Sequence, residues 1–446
     1  MSPIRYSEGL TGFYRKGVIF FYIWILLEGA LRKWVAPGLS TPLFFGKYAI
    51  LAVLAFYFVG NQEKVSRASA PYMGIVLFYL FYCLIGQFNM NVTDSPVVGL
   101  IGLVVHLGFL PLAVLLPRII TRMDQIDKIF GTMVWICLPI FILGTIQYFS
   151  PPSAFINKYV SEDLGVATVG EHARITTVFS YLSGHVSLLS IVMPFFFILV
   201  TTGFKSKQGK AIVIGVFLLG MLNLLMTGSR GPVGFFVIDV VLISLGVGMG
   251  FAGNKLNKSL FTVQLAVIGL MGFGVLTFTE SGQESLKSFM GRVDQNNDVG
   301  NRVEDALNPF KFLETSGIIG FGIGTTYEAN RKYLTGREKM PGYWEEEAER
   351  VVIELGFIGF MLCTAMRFAV FIFIVRTMFA VRETRLKLIA MVLAIIQLPT
   401  IFYLNLAIFN WMDNIIFWTC AGVASAIHQI DLHEKQKAPS LSLASG

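Results

Sequence analysis

Apolar positions in this chain run in long blocks with no period of two, each closed by a short polar connector. Taking about 20 apolar residues as the length that crosses a bilayer, the blocks predict twelve helices. They fall at Gly17–Val35, Pro42–Gly60, Pro71–Gly86, Val97–Leu116, Ile129–Phe149 and Gly184–Thr202, then Ala211–Thr227, Pro232–Ala252, Phe261–Thr279, Val351–Val375, Leu388–Leu404 and Trp411–Ile427. Blocks this long and unbroken exclude the alternating strands of an outer-membrane barrel. The expected fold is all-α: one polytopic integral membrane bundle over residues 1–446. No internal repeat or soluble second domain is visible. The first block is long enough to act as an uncleaved signal anchor, and the Ser/Ala-rich end, Ala438–Gly446, reads as a disordered part of a tail spanning 429–446.

Charge orients the bundle. With the N-terminus inside, alternate connectors carry Lys64 and Arg67; Arg118, Arg122 and Lys128; Lys205, Lys207 and Lys210; Lys255 and Lys258; and Arg376, Arg382, Arg385 and Lys387. The turns 87–96 and 405–410 hold no Lys or Arg. This is the positive-inside pattern, and it places both termini in the cytoplasm of a bacterial inner membrane. Two segments on the outer side are long, 150–183 and 280–350. The second holds nine of the chain's 35 basic residues, which long loops carry across regardless of charge. Loops of this length in a compact bundle are usually functional, so any chemistry faces outward.

A composition of 54% hydrophobic against 14% charged residues excludes an ordinary soluble domain. The net charge of +7 sits mainly in the connectors and is no nucleic-acid footprint. Cys83, Cys137, Cys363 and Cys420 all lie in apolar blocks and read as small packing residues. No His, Cys and carboxylate set has metal-ligand spacing, so no metal or other cofactor is expected.

Candidate chemistry concentrates in the outer segments. Gly228-Ser229-Arg230-Gly231 puts a permanent guanidinium between two apolar blocks, where a charge without a partner is costly. Arg230 is either a clamp for a phosphate or diphosphate headgroup or an arginine snorkelling to the interface. Arg292, Arg302 and the glycine string Gly317–Gly324 follow in the large outer segment. The string could cradle an anion through backbone amides or simply pack the loop. The acidic run Glu345-Glu346-Glu347 with Glu349, Arg350 and Glu354 offers a general base. It equally fits a helix N-terminus, with Glu346, Arg350 and Glu354 as an ion-pair ladder on one face. Arg174, ahead of the sixth block, adds a cation or caps a loop, and His185 reads as an interfacial histidine. Glu28 and Arg32 are spaced for an intrahelical pair. Lys47, His106, Asp239, Arg367 and Asp413 are charges whose partners the chain order does not name.

Several of these stretches resemble one family. Leu224 to Gly231 looks like the Ser-Arg-Gly motif of the bacterial O-antigen ligase and polymerase family, Ala173 to Phe179 resembles its preceding motif, and Val352 to Gly359 is similar to its helix after the large outer loop. The order and spacing match from Ala173 onward. The resemblance implies a C-type, metal-independent membrane glycosyltransferase. Its donor would be a glycan on undecaprenyl diphosphate, and its acceptor a lipid core or a growing polysaccharide. Arg230 and Arg302, with Arg174 and Arg292 as further candidates, would hold the diphosphate and stabilise it as it leaves. The resemblance also admits a chain-length regulator as partner. Ligases of this family carry a His at the position of Glu345, and the acidic residue here shifts the expectation towards polymerisation of an exopolysaccharide, with Glu345 or Glu347 as base. A secondary transporter or flippase is the rival reading, because twelve helices with both ends inside is also a transporter topology; its halves would be related, and here they differ.

Overall fold

The computed structural model describes residues 8–61, 71–160, 165–169, 171–202, 207–248, 309–342, 344 and 346–443, with Arg230 described by its backbone alone. The described part is a helical bundle. Its helices are α1 Glu8–Ala30, α2 Ser40–Gly60, α3 Met73–Gly86, α4 Pro96–Leu107, α5 Pro111–Ile119, α6 Met123–Phe149, α7 Leu182–Thr202, α8 Lys207–Met226, α9 Arg230–Gly246, α10 Glu347–Ala380, α11 Thr384–Ile401 and α12 Trp411–Leu443. The sheet content is one hairpin, β1 Thr168–Val169 with β2 His172–Ala173. Eight helical stretches are long and apolar enough to cross a membrane, counting α4 and α5 as one. The block Phe261–Thr279 lies outside the described residues.

Three features depart from the block pattern. The fourth block is two helices, because Pro111 lacks an N–H and its ring opposes the carbonyl four residues back; tighter bonds, Leu110 N to Leu107 O at 3.0 Å and Leu112 N to Phe109 O at 3.0 Å, bridge the break. The last helix runs to Leu443 through the stretch read as a disordered tail. Its polar extension is supported by the Asp431–Lys435 pair at 2.5 Å, with Asp431 also accepting from Arg382 N. The third is a break inside α10 at Gly356, whose φ of 65° is open to glycine.

The α10 break is filled by the glycine string. Ile353 O accepts from Phe321 N at 2.8 Å, Glu354 O from Gly322 N at 2.9 Å, and Leu355 O from the Tyr82 hydroxyl at 2.9 Å. Each carbonyl freed by the kink thus has a donor, as buried backbone away from water requires. The string is therefore loop packing of a specific kind, and its glycines are what lets two backbones touch. A Cβ on Gly356 would lie 2.3 Å from Ile318 O. Gly356→Ala is expected to destabilise the protein by at least about 1–3 kcal/mol from backbone strain alone, whereas Gly342→Ala, in open space, should leave the melting temperature in detergent unchanged. Equal melting temperatures for the two variants would refute this account of the break.

The bundle has two chemically distinct ends. At one, Arg385 meets Asp127 at 2.9 Å and Lys435 Nζ donates to Ala380 O. The 165–181 and 309–346 segments sit at the other. There too are the turns without Lys or Arg: Asn89 Nδ2 donates to Gly320 O, Thr93 to Tyr333 O, and Ile408 N to Glu347. The core between them is apolar, and all four cysteines are buried and free.

Candidate functional site

The loop-bearing end is built on charges that the bundle buries. Glu28, 1% exposed, accepts from Arg32 Nη1 at 2.6 Å and from Lys47 Nζ at 2.7 Å. The first is the expected intrahelical pair; the second comes from α2, because α1 and α2 pack side by side and Glu28 is the carboxylate their facing surfaces share. Lys47 also lies over the Phe44 ring at 3.4 Å. Next to them Lys33, fully buried, donates to Thr177 O at 2.6 Å and Thr176 Oγ1 at 3.1 Å. Three cations therefore share one carboxylate here. Arg32 reaches further, to Ser40 Oγ at 2.9 Å and Ser180 Oγ at 3.0 Å. Burial raises the Tyr327 hydroxyl above its ordinary pKa while the Arg32 charge pulls it back, which brings the 309–346 segment to the same place.

Segment 173–180 is held from both sides. Gln147, at the end of α6, accepts from Thr177 N at 2.7 Å and Thr176 N at 3.2 Å, and donates to Ile156 O at 2.8 Å. Thr177 sits at φ 50°, strained for a β-branched residue, and its hydroxyl shares a 3.1 Å hydrogen bond with His185 Nδ1. The β hairpin anchors the start of this segment, with His172 stacked on Tyr148 at 4.3 Å. Arg174 leaves the hairpin and crosses to the turn between α8 and α9. Its Nε donates to Thr227 O at 2.9 Å and its Nη2 to Ser229 Oγ at 2.6 Å. That turn is possible because Gly228 takes φ 62° after the last turn of α8. Ser229 N donates to Thr227 Oγ1 and Arg230 opens α9. Arg174 is half-buried, and desolvation lowers its pKa, with Tyr159 partly opposing. It meets no carboxylate among the described residues.

The entrance of α10 corrects two readings. Glu347, 0% exposed, is bound to Arg367 at 2.8 Å and accepts from Ile408 N. Arg367 in turn donates to Thr400 O at 2.9 Å and lies over Tyr403. A carboxylate so enclosed joins α10, α11 and the turn before α12; it is not placed to take a proton from a substrate. The ladder of Glu346, Arg350 and Glu354 does not form either. Glu346 and Glu349 close a capping box, and Glu349 pairs with Lys311 at 2.5 Å. Glu354 is 0% exposed and accepts from His106 Nε2 at 2.9 Å, Gly324 N at 2.8 Å, Thr326 N at 2.9 Å and Thr326 Oγ1 at 2.6 Å. Arg350 keeps only the Phe409 ring, 5.2 Å from its guanidinium carbon.

Of the residues singled out from the sequence, Arg174 and the Arg230 turn come together and Glu347 is engaged elsewhere. Arg292, Arg302 and Glu345 lie outside the described residues. Lys33, Lys47 and Arg350 are cations of this end that motif reasoning passed over. A signal existed for Lys47: it and Glu28 are opposite lone charges in one predicted hairpin. Phe409 and Trp411, which face Arg350 and Lys47 respectively, had none. Among the described residues no group of three His, Cys, Asp or Glu side chains assembles as a metal site. A comparison with protein-family models finds no match, and no curated protein matches the chain.

Proposed function

We propose that this chain is a membrane glycosyltransferase acting on the outer face of a bacterial inner membrane, which polymerises or ligates oligosaccharide units carried on a polyprenyl diphosphate during cell-surface polysaccharide synthesis. The observation that supports it most is the junction of Arg174 with the Thr227–Arg230 turn. Two segments singled out by the family resemblance, far apart in sequence, meet there through a guanidinium that has no carboxylate of its own among the described residues. A desolvated cation of this kind favours an anion brought in from outside the chain. A diphosphate, which gains charge as its bond to the sugar breaks, is stabilised more in the transition state than before it, which is the condition for catalysis. In this reading the twelve-helix topology has both termini inside, the acceptor is a glycan or lipid, and Arg230 and Arg302 complete the anion site. A chain-length regulator is an admissible partner.

The test is complementation of a host lacking the gene. Arg174→Ala and Arg230→Ala should each cut long polysaccharide on the order of a hundredfold, the scale of losing one electrostatic stabiliser, while lipid-linked single units accumulate on the outer leaflet. Wild-type polymer in both variants refutes the clamp. Accumulation on the inner leaflet in the deletion strain would instead make the protein an exporter.

A further inference from the structure

Arg350 stands in the first turn of α10, where the helix dipole is positive and a cation is disfavoured. Three carboxylates flank it in sequence, yet none neutralises it: Glu346 caps the helix, Glu347 is bound to Arg367, and Glu349 to Lys311. Its Nε is buried without a hydrogen-bond partner. The guanidinium lies over Phe409, 5.2 Å from the ring centre. Arginine has no neutral form to fall back on, so its charge has to be met by something the chain does not supply. The ring beneath it fixes the plane of the fork. Phe409 is itself fixed, since its neighbours Ile408 and Asn410 bond to Glu347 and to Ser187. A planar fork held in advance and lacking an acceptor suits a tetrahedral oxyanion with two oxygens to offer.

We infer that Arg350, seated on Phe409, binds a phosphoryl group of the polyprenyl diphosphate. This rests on the function proposed above and adds to it a binding residue on α10, the helix that follows the large outer segment. Arg350 performs no proton transfer; it holds the leaving diphosphate by charge and two N–H donors.

The experiment uses the full-length protein in phosphatidylcholine nanodiscs, titrated with farnesyl diphosphate and followed by calorimetry and thermal unfolding. The wild type should bind. Arg350→Gln should weaken binding by about tenfold to a hundredfold, the range for a charge-assisted hydrogen bond, and Arg350→Lys should fall between. The ligand-free melting temperature of Arg350→Gln should equal or exceed that of the wild type, because no internal partner is lost. A structural arginine would lower it, and that outcome overturns the inference. Equal affinity of wild type and Arg350→Gln also overturns it while leaving the proposed function standing. A wild type that ignores farnesyl diphosphate sinks the proposed function itself. Stabilisation by phosphatidylglycerol nanodiscs that needs Arg350 and is not displaced by farnesyl diphosphate would assign the site to bilayer headgroups and overturn the inference as well.

Discussion

Arg367→Met should destabilise the bundle by about 3–5 kcal/mol, the cost of leaving a buried carboxylate without its counter-charge. Glu347 would then be enclosed, fully buried, with Ile408 N as its remaining donor. Glu347→Gln alone should be nearly as harmful, since it strands Arg367 beneath Tyr403. The double variant Glu347→Gln/Arg367→Met removes both charges and keeps the volume. It should recover most of the melting temperature, because a buried pair adds little net stability over neutral residues of similar size. The same double variant decides the role of Glu347. If this carboxylate only ties α10 to α11 and the turn before α12, complementation returns with stability. A double variant that folds like the wild type yet makes no polymer would show that Glu347 takes part in the chemistry.

The second large effect is expected at Glu354. Its two oxygens serve four donors from three parts of the chain: His106 on α4, and Gly324 and Thr326 in the segment that enters the α10 break. Tyr79 closes the chain on the far side, 2.6 Å from His106 Nδ1. The neutral histidine with its proton on Nε2 satisfies every member, Tyr79 donating to Nδ1 and Nε2–H donating to the carboxylate; this tautomer follows from the network. Glu354→Ala leaves those buried donors unsatisfied at about 1–3 kcal/mol each before relaxation. We expect a loss of several kcal/mol, seen as poor membrane accumulation and early unfolding. His106→Ala removes one donor and leaves three, so its effect should be clearly smaller. The reverse ranking would mean that the 317–326 segment is held by something other than Glu354.

The two variants bear on how much could be read before the fold was known. Ion pairs within one helical turn were readable, as Glu28–Arg32 shows, because i and i+4 face each other on any α-helix. The same rule misled at α10. Glu346, Arg350 and Glu354 have ladder spacing, but each meets a stronger partner across the bundle, and Gly356 breaks the helix just beyond them. The glycine string was open to two interpretations for a similar reason. Its φ angles suit an anion cradle as well as they suit a backbone pressed against the carbonyls of Ile353 and Glu354. Only the position of α10 separates the two.

What the chain order determined by itself was the helical membrane character, the approximate blocks, the two unlike ends and the sites where a charge must find a partner. Those follow from length, hydropathy and backbone chemistry, which are local. Tertiary structure alone decided which partner each charge took, that Arg174 spans from one segment to the turn at Ser229, and that Arg350 was left over. Coulombic and hydrogen-bond energies in a buried end depend on distances of a few ångströms between residues hundreds of positions apart, and no local pattern carries that information.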